Sequence, residues 1–187
     1  MRIARAALVA LLSYWTLRLA TAALPTCFLD LVNLAFHESG HLFLAPFGQT
    51  MHFLGGTLGQ LAVPTGLAAY FLFRKQQPFA AAVCAWWAGE SLVNISVYMA
   101  DARDLALPLV GGGDHDWNNL FYTFGLLGED SVRFVSALTH HAGVVVMLLG
   151  LAWAGSFLLR GGLRERFDAF VGDRLPALAP LFATEEA

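Results

Sequence analysis

The chain has 187 residues, 57% of them hydrophobic and only 13% charged, with a mean hydropathy of +0.59. Soluble domains carry about 25% charged residues, so a water-facing globule is excluded and an integral membrane protein is implied. A net charge of −3, with no Lys/Arg-rich run or aromatic-interleaved basic patch, also excludes nucleic acid as a partner.

A spanning helix takes about 20 largely apolar residues. Five stretches approach this: residues 6–24, 26–47, 53–73, 79–100 and 134–159. They predict an all-α, polytopic bundle of four to five transmembrane helices embedded in the lipid bilayer. Residues 1–159 form its membrane-embedded domain and residues 160–187 a short interfacial tail. The first stretch follows Arg2 and Arg5 and ends in Ala20-Thr21-Ala22-Ala23, a pattern shared with signal-peptide cleavage sites. Its apolar run exceeds a usual signal core, which favours an uncleaved helix.

The second stretch contains His37-Glu38-Ser39-Gly40-His41. Residues four apart share one helix face, so His37 and His41 can hold one Zn²⁺ while Glu38 takes a proton from the water it activates. Ionisable groups at membrane depth are costly and are kept mainly where they line a cavity or functional site. The plain alternative is a polar cluster that only joins helices. Residues 48–60 follow, rich in glycine and β-formers. They read either as a short re-entrant or β-hairpin loop, or as a helix packing through Gly55 and Gly59.

Arg74-Lys75 mark a polar connection. The fourth stretch then places Glu90, Asn94, Tyr98 and Asp101 along one face of an otherwise apolar helix. Catalytic zinc usually has three protein ligands and one open position. Asp101 is the first choice for the third ligand. Asn94 and Tyr98 suit hydrogen bonding to a substrate carbonyl or its oxyanion, and Glu90 suits orienting a histidine. The competing source is Asp114, His115 or Asp116, preceded by Gly111-Gly112-Gly113 in the long loop over residues 101–132. His140 and His141 on the last stretch point a quarter-turn apart, so at most one can face a shared site. In the tail, Leu163, Phe167, Phe170 and Val171 recur at helical spacing among charges, as in a helix lying on the membrane surface. Cys27 and Cys84 lack metal-ligand spacing and read as small core residues. The positive-inside rule puts Arg74-Lys75 and the tail in the cytoplasm, yet five strict crossings would put Arg2 and Arg5 outside.

These features together resemble the site-2 protease family of intramembrane zinc metalloproteases. The likeness rests on HESGH with its Gly before the second His, on Ala45-Pro46-Phe47-Gly48 and the Gly-rich stretch where that family has a membrane-associated β-loop, and on a later helix carrying an Asn and then an Asp. It covers roughly residues 26–104. It implies zinc held by His37, His41 and Asp101, with Glu38 activating water. The stretch Asn94 to Ala102 departs from the family pattern, having no Pro after the Asn, no Gly after the Asp, and one residue less between them.

The expected function is intramembrane peptide-bond hydrolysis of a membrane protein or peptide, in a bacterial-type inner or plasma membrane, by a chain able to act as a homo-oligomer. The rivals are a membrane lipid hydrolase, a His-rich metal oxidase, and an inactive metal-binding scaffold.

Overall fold

The computed structural model describes residues 2–22, 25–110, 114–159 and 162–182. The chain is helical: α1 (Arg2–Thr21), α2 (Asp30–Leu44), α3 (Gln49–Ala69), α4 (Pro78–Ala100), α5 (Asp116–Thr123), α6 (Glu129–Ser156) and α7 (Gly162–Arg174). No strand occurs among the described residues. Helices α1, α4 and α6 are long and apolar enough to cross a membrane. By contrast, α2 has 15 residues, about 22 Å of rise, well short of a hydrocarbon core about 30 Å thick.

Helix α4 is the axis of the bundle. Its Trp86 and Val93 are buried with Leu12 and Leu19 of α1 and Met147 of α6. The α4–α6 crossing is close because Gly89 and Gly143 meet there: a Cβ on Gly143 would lie 2.6 Å from the Gly89 carbonyl oxygen. Small residues at such crossings let backbones approach, the usual means of helix association in lipid. The outward faces of α1 and α6 stay apolar, with Leu11, Leu17, Phe134, Leu138 and Leu149 all exposed, as expected of surfaces facing hydrocarbon.

The β-loop expected after the HESGH helix is absent. A single 3₁₀ turn, Ala45–Phe47, joins α2 to α3, and residues 49–60 are helical. The reason lies in the glycines. A Cβ on Gly55 would stand 2.5 Å from the Gly40 carbonyl oxygen, and one on Gly59 would stand 2.6 Å from that of Phe36. The second reading of this segment, a small-residue packing face, therefore describes it, and its partner is the Gly40 of HESGH.

The conflict among the basic residues also dissolves. Arg2 donates to the carbonyl oxygens of Leu158 and Leu159, Arg5 sits over the Phe79 ring, and Arg164 reaches the Ser156 carbonyl oxygen. The start of α1, the start of α4 after Arg74-Lys75, the end of α6 and the tail thus share one end of the bundle. The C-terminal ends of α1 and α4, the acidic loop and α5 occupy the other. The tail is a helix, as its spacing predicts, and packs back on α6: Trp153 Nε1 donates to the Leu181 carbonyl oxygen. Residues Ala23, Leu24, Gly111, Gly112 and Gly113, and residues 160, 161 and 183–187 of the tail, lie outside the described residues.

Candidate metal centre

His37 and His41 lie on one face of α2, as their spacing requires, and their rings are 4.8 Å apart. The carboxylate that converges on them is Asp116, the first residue of α5. Asp116 Oδ2 is 2.9 Å from His37 Nε2 and 3.1 Å from His41 Nε2, and the three donor atoms all fall within 4.8 Å of one another. His37 and Asp116 are buried and His41 is half-buried.

The hydrogen bonds around these groups fix which atoms face inward. His41 Nδ1–H donates to the His52 carbonyl oxygen at 2.7 Å, and His52 Nδ1–H donates back to the His41 carbonyl oxygen at 3.2 Å. A neutral His41 therefore turns the lone pair of Nε2 toward Asp116 Oδ2. Two acceptors facing each other at 3.1 Å need a cation between them, either a proton or a metal ion. Ligands about 2.0–2.1 Å from a tetrahedral ion sit about 3.3 Å apart, so the two His–Asp separations need open by only a few tenths of an ångström, while the two histidine nitrogens, within 4.8 Å of each other, have to draw together. Two imidazoles and one carboxylate form a group that could hold a metal ion, and the donor set is of a kind that zinc accepts.

Asp116 is held from α4 as well. Its backbone N–H donates to the Tyr98 hydroxyl at 3.1 Å, and the Tyr98 ring packs between His37 at 5.8 Å and His115 at 4.2 Å. Burial raises the Asp116 carboxyl, but its hydrogen bonds to His37 and His41 outweigh this and hold it below the ordinary carboxylate range. Burial pushes the neighbouring His115 down from its usual value, against the pull of Asp101 and Asp116.

Two cavities flank the cluster. One, about 390 Å³, is lined by His37, Glu38, His41, His52, Asp114 and Asp116. The other, about 400 Å³, extends along α2 and α4 past Leu31, Leu34 and Ile95, and shares His37, Glu38 and Tyr98 with the first. Leu109 and Val110 border both. Glu38 thus lies beside the cluster with access to either space.

Two expected roles, those of Asp101 and Glu90, do not match the geometry. Asp101 is turned away from His37 and His41: its Oδ1 accepts from Ala106 N and its Oδ2 from Leu107 N, because it ends α4 and ties down the chain that follows. Asn94 lines the larger cavity with Glu38 and Tyr98, with one Nδ2 hydrogen donated to Asp30 and Oδ1 accepting from Gln60, which leaves its second N–H. Glu90 orients no histidine; buried at 1% exposure, it accepts from Asn33 Nδ2 at 2.9 Å. The stripe from Glu90 to Tyr98 does face protein, but mostly it welds α2 and α3 to α4. His140 and His141 belong to α6, where His140 lines a separate cavity with Asp104 and Arg133. Cys27 and Cys84 are free and buried.

His52 and Gly56 also belong to the site, although neither stands in a motif of its own. The His37 ring packs so tightly on Gly56 that a Cβ there would overlap it. The Gly55-Gly56 pair facing HESGH was the available signal. No protein-family model, curated protein or solved structure matches this chain.

Proposed function

We propose that the chain is a membrane-embedded zinc hydrolase that cleaves a peptide bond in or near the bilayer, with His37, His41 and Asp116 as the ion's ligands. The observation that carries this reading is the meeting of both HESGH histidines with a carboxylate 75 residues beyond His41, at a cavity that Glu38 also lines. A zinc ion in this position would lower the pKa of a coordinated water toward about 7 and polarise a substrate carbonyl. Glu38 takes the proton of the attacking water as the C–O bond forms, then delivers it to the departing amine as the C–N bond breaks. Tyr98 keeps its hydroxyl hydrogen after accepting from Asp116 N–H, so it has a donor to spare for the oxyanion. His41 is held in its ligating tautomer by the His52 carbonyl oxygen.

Resemblance to site-2 proteases agrees with this assignment for His37, Glu38 and His41, with Asp116 in place of Asp101. A second reading, hydrolysis of a membrane lipid ester, draws support from the apolar cavity walled by Leu31, Leu34, Ile95 and Pro108. The two are separated by incubating purified protein with a fluorogenic polypeptide or a labelled phospholipid in mixed micelles. Zinc- and Glu38-dependent cleavage of the polypeptide is the expected result. Cleavage of the phospholipid alone would establish the second reading.

Basic residues gathered at one end of the bundle favour a cytoplasmic location for that end, which sets the candidate site toward the opposite, non-cytoplasmic face.

A further inference from the structure

We propose that Asp101 is a positioning residue for the metal centre: through His115 it fixes the start of α5, and with it the carboxylate of Asp116. The inference rests on the reading that His37, His41 and Asp116 bind a metal ion, and it gives Asp101 a task distinct from ligation.

The geometry forms a chain of contacts. His115 is the N-cap of α5, and its Nδ1 accepts the backbone N–H of Asn118 at 3.1 Å. An N-cap acceptor satisfies one of the otherwise orphaned N–H groups of the first helical turn. With Nδ1 used as an acceptor, the ring proton of neutral His115 sits on Nε2. That atom is buried and has no hydrogen-bond partner at present; the carboxylate that faces it is Asp101, whose Oδ2 stands 3.4 Å away as an ion-pair contact. His115 is 5% exposed, so a loss of this partner is not made good by bulk water. The pairing of a carboxylate with a histidine at a metal site is a common way of orienting ligands, except that here the histidine caps the helix that carries the ligand.

Two further ties hold the same platform. Asn118 Nδ2 donates to the Ala102 carbonyl oxygen at 2.7 Å, and Asp116 N–H donates to Tyr98. All three connections join the start of α5 to the end of α4 and the two residues that follow it, so Asp116 is presented to α2 from a fixed base. Asp101 also accepts Ala106 and Leu107 N–H, setting where the chain leaves toward Leu109, which borders both cavities. One carboxylate therefore governs ligand placement and the wall between the two spaces.

The test uses the full chain in detergent. Zn²⁺ affinity is measured by competition with a chromogenic chelator for wild type, Asp101→Asn, His115→Gln and the double variant, alongside Co²⁺ absorption spectra and thermal melts of the metal-free proteins. Each single variant should weaken Zn²⁺ binding about ten- to hundredfold, the range found for partners of ligands, with the Co²⁺ band positions unchanged. The double variant should bind no more weakly than the worse single one, because the two residues act in series. Unchanged affinity in Asp101→Asn, additive losses, or a changed Co²⁺ spectrum at full loading would each overturn the proposal, the last by making Asp101 a ligand. If Asp101→Asn fails to fold, His115→Gln decides alone, since it leaves intact the hydrogen bonds that Ala106 and Leu107 N–H donate to Asp101: unchanged affinity there refutes the linkage. Failure of the wild type to bind Zn²⁺ or Co²⁺ would instead remove the metal reading itself.

Discussion

Replacing Gly56 by Ala adds one methyl group to α3 and removes no donor atom from the metal cluster, yet it should abolish tight zinc binding. The ideal Cβ lies 2.7 Å from His37 Cδ2 and nearer still to Cε1 and Nε2, whereas ordinary contact begins at 3.4 Å. The imidazole must retreat by at least 0.7 Å on those figures. Metal–ligand distances hold within about 0.2 Å, so Nε2 leaves bonding range. Because the obstructing group is the end of a side chain, His37 can turn aside at a cost of about 0.5–1.5 kcal/mol, and the α2–α3 packing survives. Zinc affinity should fall by more than the roughly hundredfold maximum for an indirect partner, since a ligand is lost, while the metal-free melting temperature changes little. Chelator competition and thermal melting on Gly56→Ala check both. Gly66→Ala, where a Cβ meets nothing within 4 Å, serves as the control and should bind zinc as wild type does. Wild-type affinity in Gly56→Ala would refute the placement of the His37 ring.

Glu38→Gln should retain zinc and fold while hydrolysis drops at least about a hundredfold, because an amide cannot accept the water's proton; near-normal turnover in the fluorogenic assay would contradict that role. Gly40→Ala drives a Cβ into the Gly55 backbone, where no side chain can yield, so α2 and α3 must part; a loss of about 1–3 kcal/mol should appear in denaturation in detergent, and an unchanged melt would contradict the close packing. For orientation, Asp114→Cys should react with an impermeant maleimide on intact cells and Lys75→Cys only after lysis, in a background with Cys27 and Cys84 replaced; the reverse pattern would place the site in the cytoplasm.

How far the sequence could be read depended on whether the information was local. HESGH carried its own geometry, since four-residue spacing on a helix places His37 and His41 together wherever that helix goes. Composition alone disclosed long apolar helices, and three of the described helices have the length and apolarity to cross a membrane. The third ligand was not local. Asp101 and Asp116 both follow α4, and only the turn of the chain between them decides which one reaches α2. Asp101 is drawn to the nearby N–H groups of Ala106 and Leu107, so the more distant Asp116 is free to reach the histidines. The polar stripe was legible as a protein-facing surface, but not that Asn33, Asp30 and Gln60 would consume its hydrogen bonds. Glycines were ambiguous for a similar reason: Gly55 and Gly59 permit a turn or a close helix contact, and Gly40 on the facing helix selects the contact.

Zinc content of the purified chain, wild type beside Asp116→Ala, probes the metal centre with the fewest intervening assumptions. About one zinc per wild-type chain is expected, and none retained after dialysis in Asp116→Ala, as also in His37→Ala and His41→Ala. Asp101→Ala should still load fully at saturating zinc. Zinc kept by Asp116→Ala but absent from Asp101→Ala at saturation would contradict the assignment and return the third ligand to the end of α4.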